Sequence, residues 1–254
     1  MPRLRSALPL PLYALTAAGL VLSTAACSRT SESASASGGT QGTQDWAALK
    51  GFDAIDATGP DNVVVTIGSD FSVRAEGDAK AVADLDIRAK DGTLVIGRKS
   101  KDRWNWSRKD GGKGATVRVT MPAIRAAALT GAGDFDLDKA SGDGLDLSLT
   151  GAGDFRIGTV ALKALSVDIT GAGSVKIAGT ADSAKLSITG AGDIEGDALK
   201  VGGADVSILG AGDIDFASDG KVAISIMGPG DVTVKGKAQC TTSGVGPGEA
   251  RCQP

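Results

Sequence analysis

Three groups of residues in this chain have the types and spacing to do chemistry. The first is a set of three cysteines, Cys27, Cys240 and Cys252, in a sequence of 254 residues with no histidine. The second is a series of aspartates at a near-constant interval, Asp134, Asp154, Asp193, Asp213 and Asp231, with Ser174 where one is missing. The third is the stretch 98–113, in which seven Lys and Arg residues and two Asp surround Trp104 and Trp106. Without histidine, neither a Ser-His-Asp nor a Cys-His arrangement can form, and the commonest general base near neutral pH is missing. Two cysteines without histidine do not complete a tetrahedral zinc shell either.

The position of Cys27 has its own logic. Arg3 and Arg5 form a basic start, residues 7–22 are uncharged and mostly apolar, and the small residues Ser23-Thr24-Ala25-Ala26 lead to the cysteine. The apolar run, broken by Pro9 and Pro11, is too short to span a membrane comfortably, and the layout is that of a secretory signal. A cysteine directly after the small residues resembles a bacterial lipobox, in which the thiol is acylated and becomes the mature N-terminus. Residues 1–26 are therefore expected to be a signal peptide and Cys27 a lipidation site; an ordinary cleaved signal is the alternative. Each buried methylene of an acyl chain contributes about 0.8 kcal/mol, so two or more chains make a lasting anchor. Export also sets the redox compartment, where Cys240 and Cys252 are expected to pair as a disulfide closing a C-terminal loop.

Two of the 27 basic residues leave with the signal, so the remainder carries 25 against 30 acidic residues, a net charge of −5. Such a chain is a poor general binder of nucleic acid. Residues 28–44 are almost entirely Ser, Thr, Gly, Gln and Ala and read as a flexible tether between lipid and domain. From Trp46 onward, short apolar alternations are separated by Gly, Asp and Asn, as in Val63-Val64-Val65-Thr66-Ile67 and Ala115-Thr116-Val117-Arg118-Val119. These are strand patterns, with room for one helical turn over 78–83.

The second half repeats. A motif close to Leu/Ile-Thr-Gly-Ala-Gly-Asp recurs with first glycines at Gly131, Gly151, Gly171, Gly190, Gly210 and Gly228, in steps of 20, 20, 19, 20 and 18 residues. Before each motif the apolar residues alternate, as in Leu145, Leu147 and Leu149; after it they resume, as in Phe155 and Ile157. One such unit cannot bury its apolar face alone. Copies stacked about 4.8 Å apart bury it continuously and pair every backbone group. The expected fold is all-β, a parallel β-helix (β-solenoid) with coils of about 20 residues, with right-handed coiling expected by analogy with parallel crossovers; a closed antiparallel barrel is the alternative. The glycines suit tight corners that need positive φ, and aspartate holds such corners by accepting backbone N–H groups. Stacking places Thr130, Thr150, Thr170 and Thr189 in one column and the aspartates in another. Like charges so close repel. Local hydrogen bonds must offset that, or cations must sit between the rungs; the first is the reading adopted, with no metal or other cofactor.

At this point the sequence resembles the family called putative auto-transporter adhesin, head GIN domain, over about residues 50–236. The resemblance rests on Phe52-Asp53-Ala54-Ile55, Asp91-Gly92-Thr93-Leu94-Val95-Ile96, Val117-Arg118-Val119-Thr120-Met121-Pro122 and the glycine-cornered repeats. It implies a β-helix and a role in attachment, and it brings no catalytic residues. The expected organisation is a signal over 1–26, the lipidated cysteine and linker over 27–45, an N-terminal β part over 46–125, the repeats over 126–236 and a disulfide-bearing tail over 237–254.

The stretch 98–113 remains the candidate binding surface. Trp104 and Trp106 share one face of a strand, and Arg103 and Arg108 flank them, so the group could stack on sugar rings, enter a headgroup layer or engage an anionic glycan. A hairpin loop whose tryptophans cap the open end of the solenoid is the alternative. Three functions follow: a non-catalytic envelope module attached to the membrane by lipid and binding an anionic glycan or envelope polymer; an inert spacer; or, least favoured, a polysaccharide-active β-helix enzyme, since the regular steps leave no large insertions to build a catalytic groove. Ser28 stands where an aspartate retains some lipoproteins at an inner membrane, which favours the outer membrane or cell surface. Oligomeric state is left open.

Overall fold

The computed structural model describes residues 40–99 and 114–253. The chain is nearly all-β, and forms a β-solenoid of about six turns with coils of about 20 residues. In chain order the first elements are β1 (Gln41–Asp45), β2 (Ala54–Gly59), β3 (Asn62–Ile67), β4 (Ser72–Asp78), the single helical turn α1 (Ala79–Ala83), β5 (Leu85–Lys90), β6 (Thr93–Arg98), β7 (Ala115–Met121) and β8 (Ala126–Gly131). Four long strands then wrap one coil each: β9 (Phe135–Gly151), β10 (Asp154–Gly171), β11 (Ser174–Gly190) and β12 (Asp193–Gly210). The last coils are shorter pieces, β13 (Ile214–Ser218), β14 (Lys221–Met227), β15 (Val232–Lys235), β16 (Gln239–Val245) and β17 (Ala250–Gln253).

From β8 to β17 each pairing is parallel and in step with the repeat. Leu147 faces Val167, Val167 faces Leu186, Leu186 faces Val206 and Val206 faces Ile224. Every residue of that column is buried. The alternation seen in sequence therefore becomes a set of apolar columns running up the inside of the coil, each buried Leu or Ile adding roughly 1.5–3 kcal/mol. Phe135 and Phe155 stack within one column with ring centroids 4.9 Å apart and a 49° tilt.

The solenoid is longer than the repeat motif shows. β2, the corner after it and β3 form a rung of their own, because β2 lies parallel to β8 with Gly59 against Gly131, and β3 lies parallel to β9 with Val63 against Phe135. The described residues between β3 and β8 build the N-terminal end beneath this rung. β6 and β7 run parallel under β2 and β3. Below them β5 and β4 pair antiparallel to β6 and β7, and β1 pairs antiparallel to β4. Reversing direction at the end closes the stack with a differently built layer. Asp78 starts α1 by accepting hydrogen bonds from the N–H groups of Lys80 at 3.0 Å and Ala81 at 3.3 Å.

Two stretches differ from expectation. Gln41–Asp45, the end of the segment read as tether, is strand β1, since β4 offers it a free edge to pair with. The C-terminal tail is a further rung, with β16 parallel to β14 and β17 parallel to β15. Its corner, Gly246-Pro247-Gly248, is a motif copy from which alanine and aspartate have been lost.

The corners set the stacking distance. Gly171 has φ +132°, and a Cβ there would fall on the carbonyl oxygen of Gly151 in the rung below. Gly142 has the same φ, +132°, but nothing lies within 4 Å of its would-be Cβ. Gly142→Ala is therefore expected to cost only the backbone strain, about 1–3 kcal/mol. Gly171→Ala must in addition push two rungs apart and should melt several degrees lower than Gly142→Ala. Equal melting temperatures for the two variants would show that the close approach does not matter.

Candidate functional site

Each corner is held from below. The alanine N–H of one corner donates to the first-glycine carbonyl of the preceding one: Ala152 to Gly131 at 2.9 Å, Ala172 to Gly151, Ala191 to Gly171 and Ala211 to Gly190, the last three at 2.8 Å. Pro229 has no N–H to give, and the donor moves one residue on, from Gly230 to Gly210 at 3.3 Å. Pro247 repeats the arrangement, with Gly248 donating to Gly228 at 3.1 Å.

The aspartate column is a hydrogen-bond ladder. Asp193 Oδ1 accepts the N–H of Asp213 at 3.0 Å, Asp213 Oδ1 that of Asp231 at 2.9 Å, and Asp231 Oδ1 that of Glu249 at 2.8 Å. Asn62 performs the same task for Asp134 at 3.0 Å. Ser174 receives a bond from below, since Asp154 Oδ1 accepts both its N–H and its hydroxyl. Its own hydroxyl is too short to continue the ladder, and Asp193 N–H turns to the Gly173 carbonyl at 3.3 Å. Cations interleave with the carboxylates. Arg156 bridges Asp134 at 3.1 Å and Asp154 at 3.3 Å, and Lys176 pairs with Glu195 at 3.1 Å. The hydrogen bond from Lys235 holds Asp197 below the usual carboxylate range. Burial, reinforced by the Asp197 charge, pushes the adjacent Asp215 up. Each exposed pair is worth roughly 0–1 kcal/mol, so their work here is to neutralise a column that would otherwise repel itself.

The stretch that carries Arg103, Trp104, Trp106 and Arg108 lies outside the described residues, as does Cys27. The described ends of that stretch belong to β6 and β7, which lie parallel to β2 and β3 and are not paired with each other. Asp61, only 4% exposed, joins both ends. It accepts the Arg98 guanidinium through Nε at 2.9 Å and Nη2 at 2.5 Å, and the Ala115 N–H at 2.7 Å. A Cβ on Gly114 would come within 2.7 Å of the Pro60 carbonyl oxygen, so the returning chain presses against the corner above. Beside this junction is a concavity of about 790 Å³, into which Asp86, Arg88, Arg98 and Lys99 project. Asp61 was not singled out in the sequence. The signal available was Gly59-Pro60-Asp61, a corner motif one rung before the recognised series.

At the other end, Cys240 and Cys252 are disulfide-bonded with Cα atoms 6.6 Å apart. They occupy the core columns above Val222 and Val234, so the cross-link spans the interior of the last rung. The threonine column continues upward as Leu209, Met227 and Val245, which are 52%, 55% and 76% exposed.

Asp61→Ala removes the acceptor for Arg98 and for a buried N–H at once. Breaking a buried charge pair from one side costs about 3–5 kcal/mol, so a large fall in melting temperature is expected, while Asp61→Asn, which can still accept from Ala115, should lose less. Wild-type melting in Asp61→Ala would mean that Asp61 does not hold the junction.

The geometry agrees with known relatives. The crystal structure of a putative adhesin from Bacteroides fragilis superposes with a TM-score of 0.76 at 26% identity, covering 84% of this chain and 96% of that one. That of a putative lipid binding protein from Parabacteroides distasonis gives 0.67 at 18% identity, over 84% and 97%. A putative adhesin from Parabacteroides merdae gives 0.58 at 19% identity, over 84% and 96%. No curated protein matches. Residues 51–238, most of the chain, match the family described as putative auto-transporter adhesin, head GIN domain, and the chain belongs to this family.

Proposed function

We propose that this chain is a non-catalytic attachment module of the cell envelope. In this reading it is tethered by lipid on Cys27 and engages an anionic glycan or envelope polymer through the stretch 98–113. One observation supports the proposal: the buried Asp61 ties Arg98 to Ala115, the described residues at either end of a stretch rich in cations and tryptophans. A spacer needs only the stacked rungs. The charge of 98–113 opposes that of the chain around it, and such patches steer anionic partners. The adhesin relatives are in keeping with attachment. The lipid-binding description of one neighbour belongs to a protein of the same fold and less than a fifth of the same residues.

Binding of the Cys27→Ser protein to anionic and neutral envelope glycans tests the surface. Trp104→Ala with Trp106→Ala, or Arg103→Gln with Arg108→Gln, should weaken binding to the anionic ligands and leave the β-rich circular dichroism unchanged. The arginine variant should also lose much of the salt dependence, because salt screens exposed charges. Folded variants that bind like wild type would place the adhesive surface elsewhere. The anchor is tested separately by detergent partitioning: wild type should enter the detergent phase and Cys27→Ser should stay aqueous, and an aqueous wild type would refute the lipid anchor.

A further inference from the structure

We propose that two copies of this chain associate end to end through the open edge of β16, in antiparallel register about a two-fold axis at Thr242. The two ends of the solenoid are closed differently. At the N-terminal end the outermost strands carry charge, Asp45 on β1 and Asp86, Arg88 and Lys90 on β5, which discourages edge-to-edge pairing. At the C-terminal end β16 pairs with β14 on one side, and among the described residues nothing pairs with its other side.

That edge lacks every usual guard. The strands below it on the same face each bear a charge, namely Asp146, Asp168, Lys185, Asp205 and Lys221. Residues 238–248, by contrast, carry none. On a net-acidic chain, an uncharged strip is where two copies can approach without repulsion. A two-fold interface must also complement itself, and Gln-Cys-Thr-Thr-Ser-Gly-Val does so when reversed. Thr241 then faces Ser243 of the second copy, Cys240 faces Gly244, and Thr242 faces Thr242.

The backbone permits this register. The N–H of Gln239 donates to Gly220 at 2.8 Å and the carbonyl of Val245 accepts from Gly228 at 3.1 Å, so both point toward the rung below. Along a strand the direction alternates, and Cys240, Thr242 and Gly244 therefore present their N–H and C=O groups to the open side. Opposed residues of an antiparallel hydrogen-bonded pair exchange two bonds. Centring the two-fold on Thr242 makes pairs of this kind of Thr242 with Thr242 and of Cys240 with Gly244, alternating with the non-bonded pair of Thr241 and Ser243, whereas a one-residue slip of the register would oppose outward-facing groups to inward-facing ones. The core gains as well. Thr242 and Gly244, both exposed, sit above the buried Ile224 and Ile226, and a second copy supplies the rung that would cover them. Gln239 of that copy lies across from Val245, the most exposed large apolar residue of the described chain. The disulfide keeps this terminal rung stacked and so presents a straight edge.

The proposal is independent of glycan binding and has a different salt signature. Sedimentation equilibrium on the Cys27→Ser protein, where acyl chains cannot drive association, should return a dimer mass that persists at high salt. Thr242→Pro removes an outward N–H without touching the ladder to β14, a position where an edge strand accepts proline. Thr242→Lys sets two ammonium groups face to face. Both variants should sediment as monomers with wild-type circular dichroism, and if the proline variant unfolds, the lysine variant decides. A wild type that remains monomeric at its highest soluble concentration overturns the proposal, even if the edge captures an unrelated extended peptide. A dimer that survives in a folded Thr242→Lys overturns it too.

Discussion

The hydrogen bond from each corner to the glycine carbonyl one rung below draws two backbones together at a point where no Cβ fits. Gly131, Gly151, Gly171, Gly190 and Gly210 all adopt φ between 127° and 141° there, and each would drive a Cβ onto the oxygen beneath it. Because the approach recurs at every coil, the rungs stay in register. A slip by one residue would turn every inward Leu and Ile outward. The apolar columns supply the driving force, and the corner column makes it specific.

Stacking in register has an electrostatic consequence that the structure resolves locally. Identical coils bring identical charges together, and an aspartate column is the sharpest case. Here the carboxylates of Asp154, Asp193, Asp213 and Asp231 turn upward to accept the next backbone N–H, Asp134 pairs with Arg156, and Lys176 and Lys235 sit among their neighbours. The ladder is a positioning device for the corners, made from the side chains that repetition would otherwise set against one another. The same limit applies to the hydroxyl column, which tolerates threonine through five stacked coils, from Thr58 to Thr189, and gives way to apolar residues only near the C-terminal end.

A solenoid has two ends, and both depart from the repeat. At the N-terminal end the strand direction reverses, and buried Asp61 ties Arg98 to Ala115. At the C-terminal end the core columns shrink to Cys240, Thr242, Gly244, Ala250 and Cys252, with a covalent bond replacing the missing bulk. Repetition serves the middle, while the chemistry available for recognition collects where repetition stops.

Much of this was legible from the residues alone. Period-2 alternation and six evenly spaced glycine corners require a stacked all-β coil, because no isolated copy can bury its own face, and the aspartate after each corner announces a backbone acceptor. Local pattern ended there. Gly59-Pro60-Asp61 and Gly246-Pro247-Gly248 are corners too; the second keeps the 18-residue step but has lost the alanine and aspartate of the motif, and the first is separated from its series by residues 68–125, so its spacing could not reveal it. Which strands become neighbours across that separation depends on long-range pairing: β2 meets β6 and β8, and β3 meets β7 and β9. The sequence by itself determined the coil, its period and its inward face, since these follow from residue periodicity. Only the tertiary structure decided that Asp61 ties Arg98 to Ala115 and that β16 is left with an open edge among the described residues, because each of those facts arises from contacts between segments tens of residues apart.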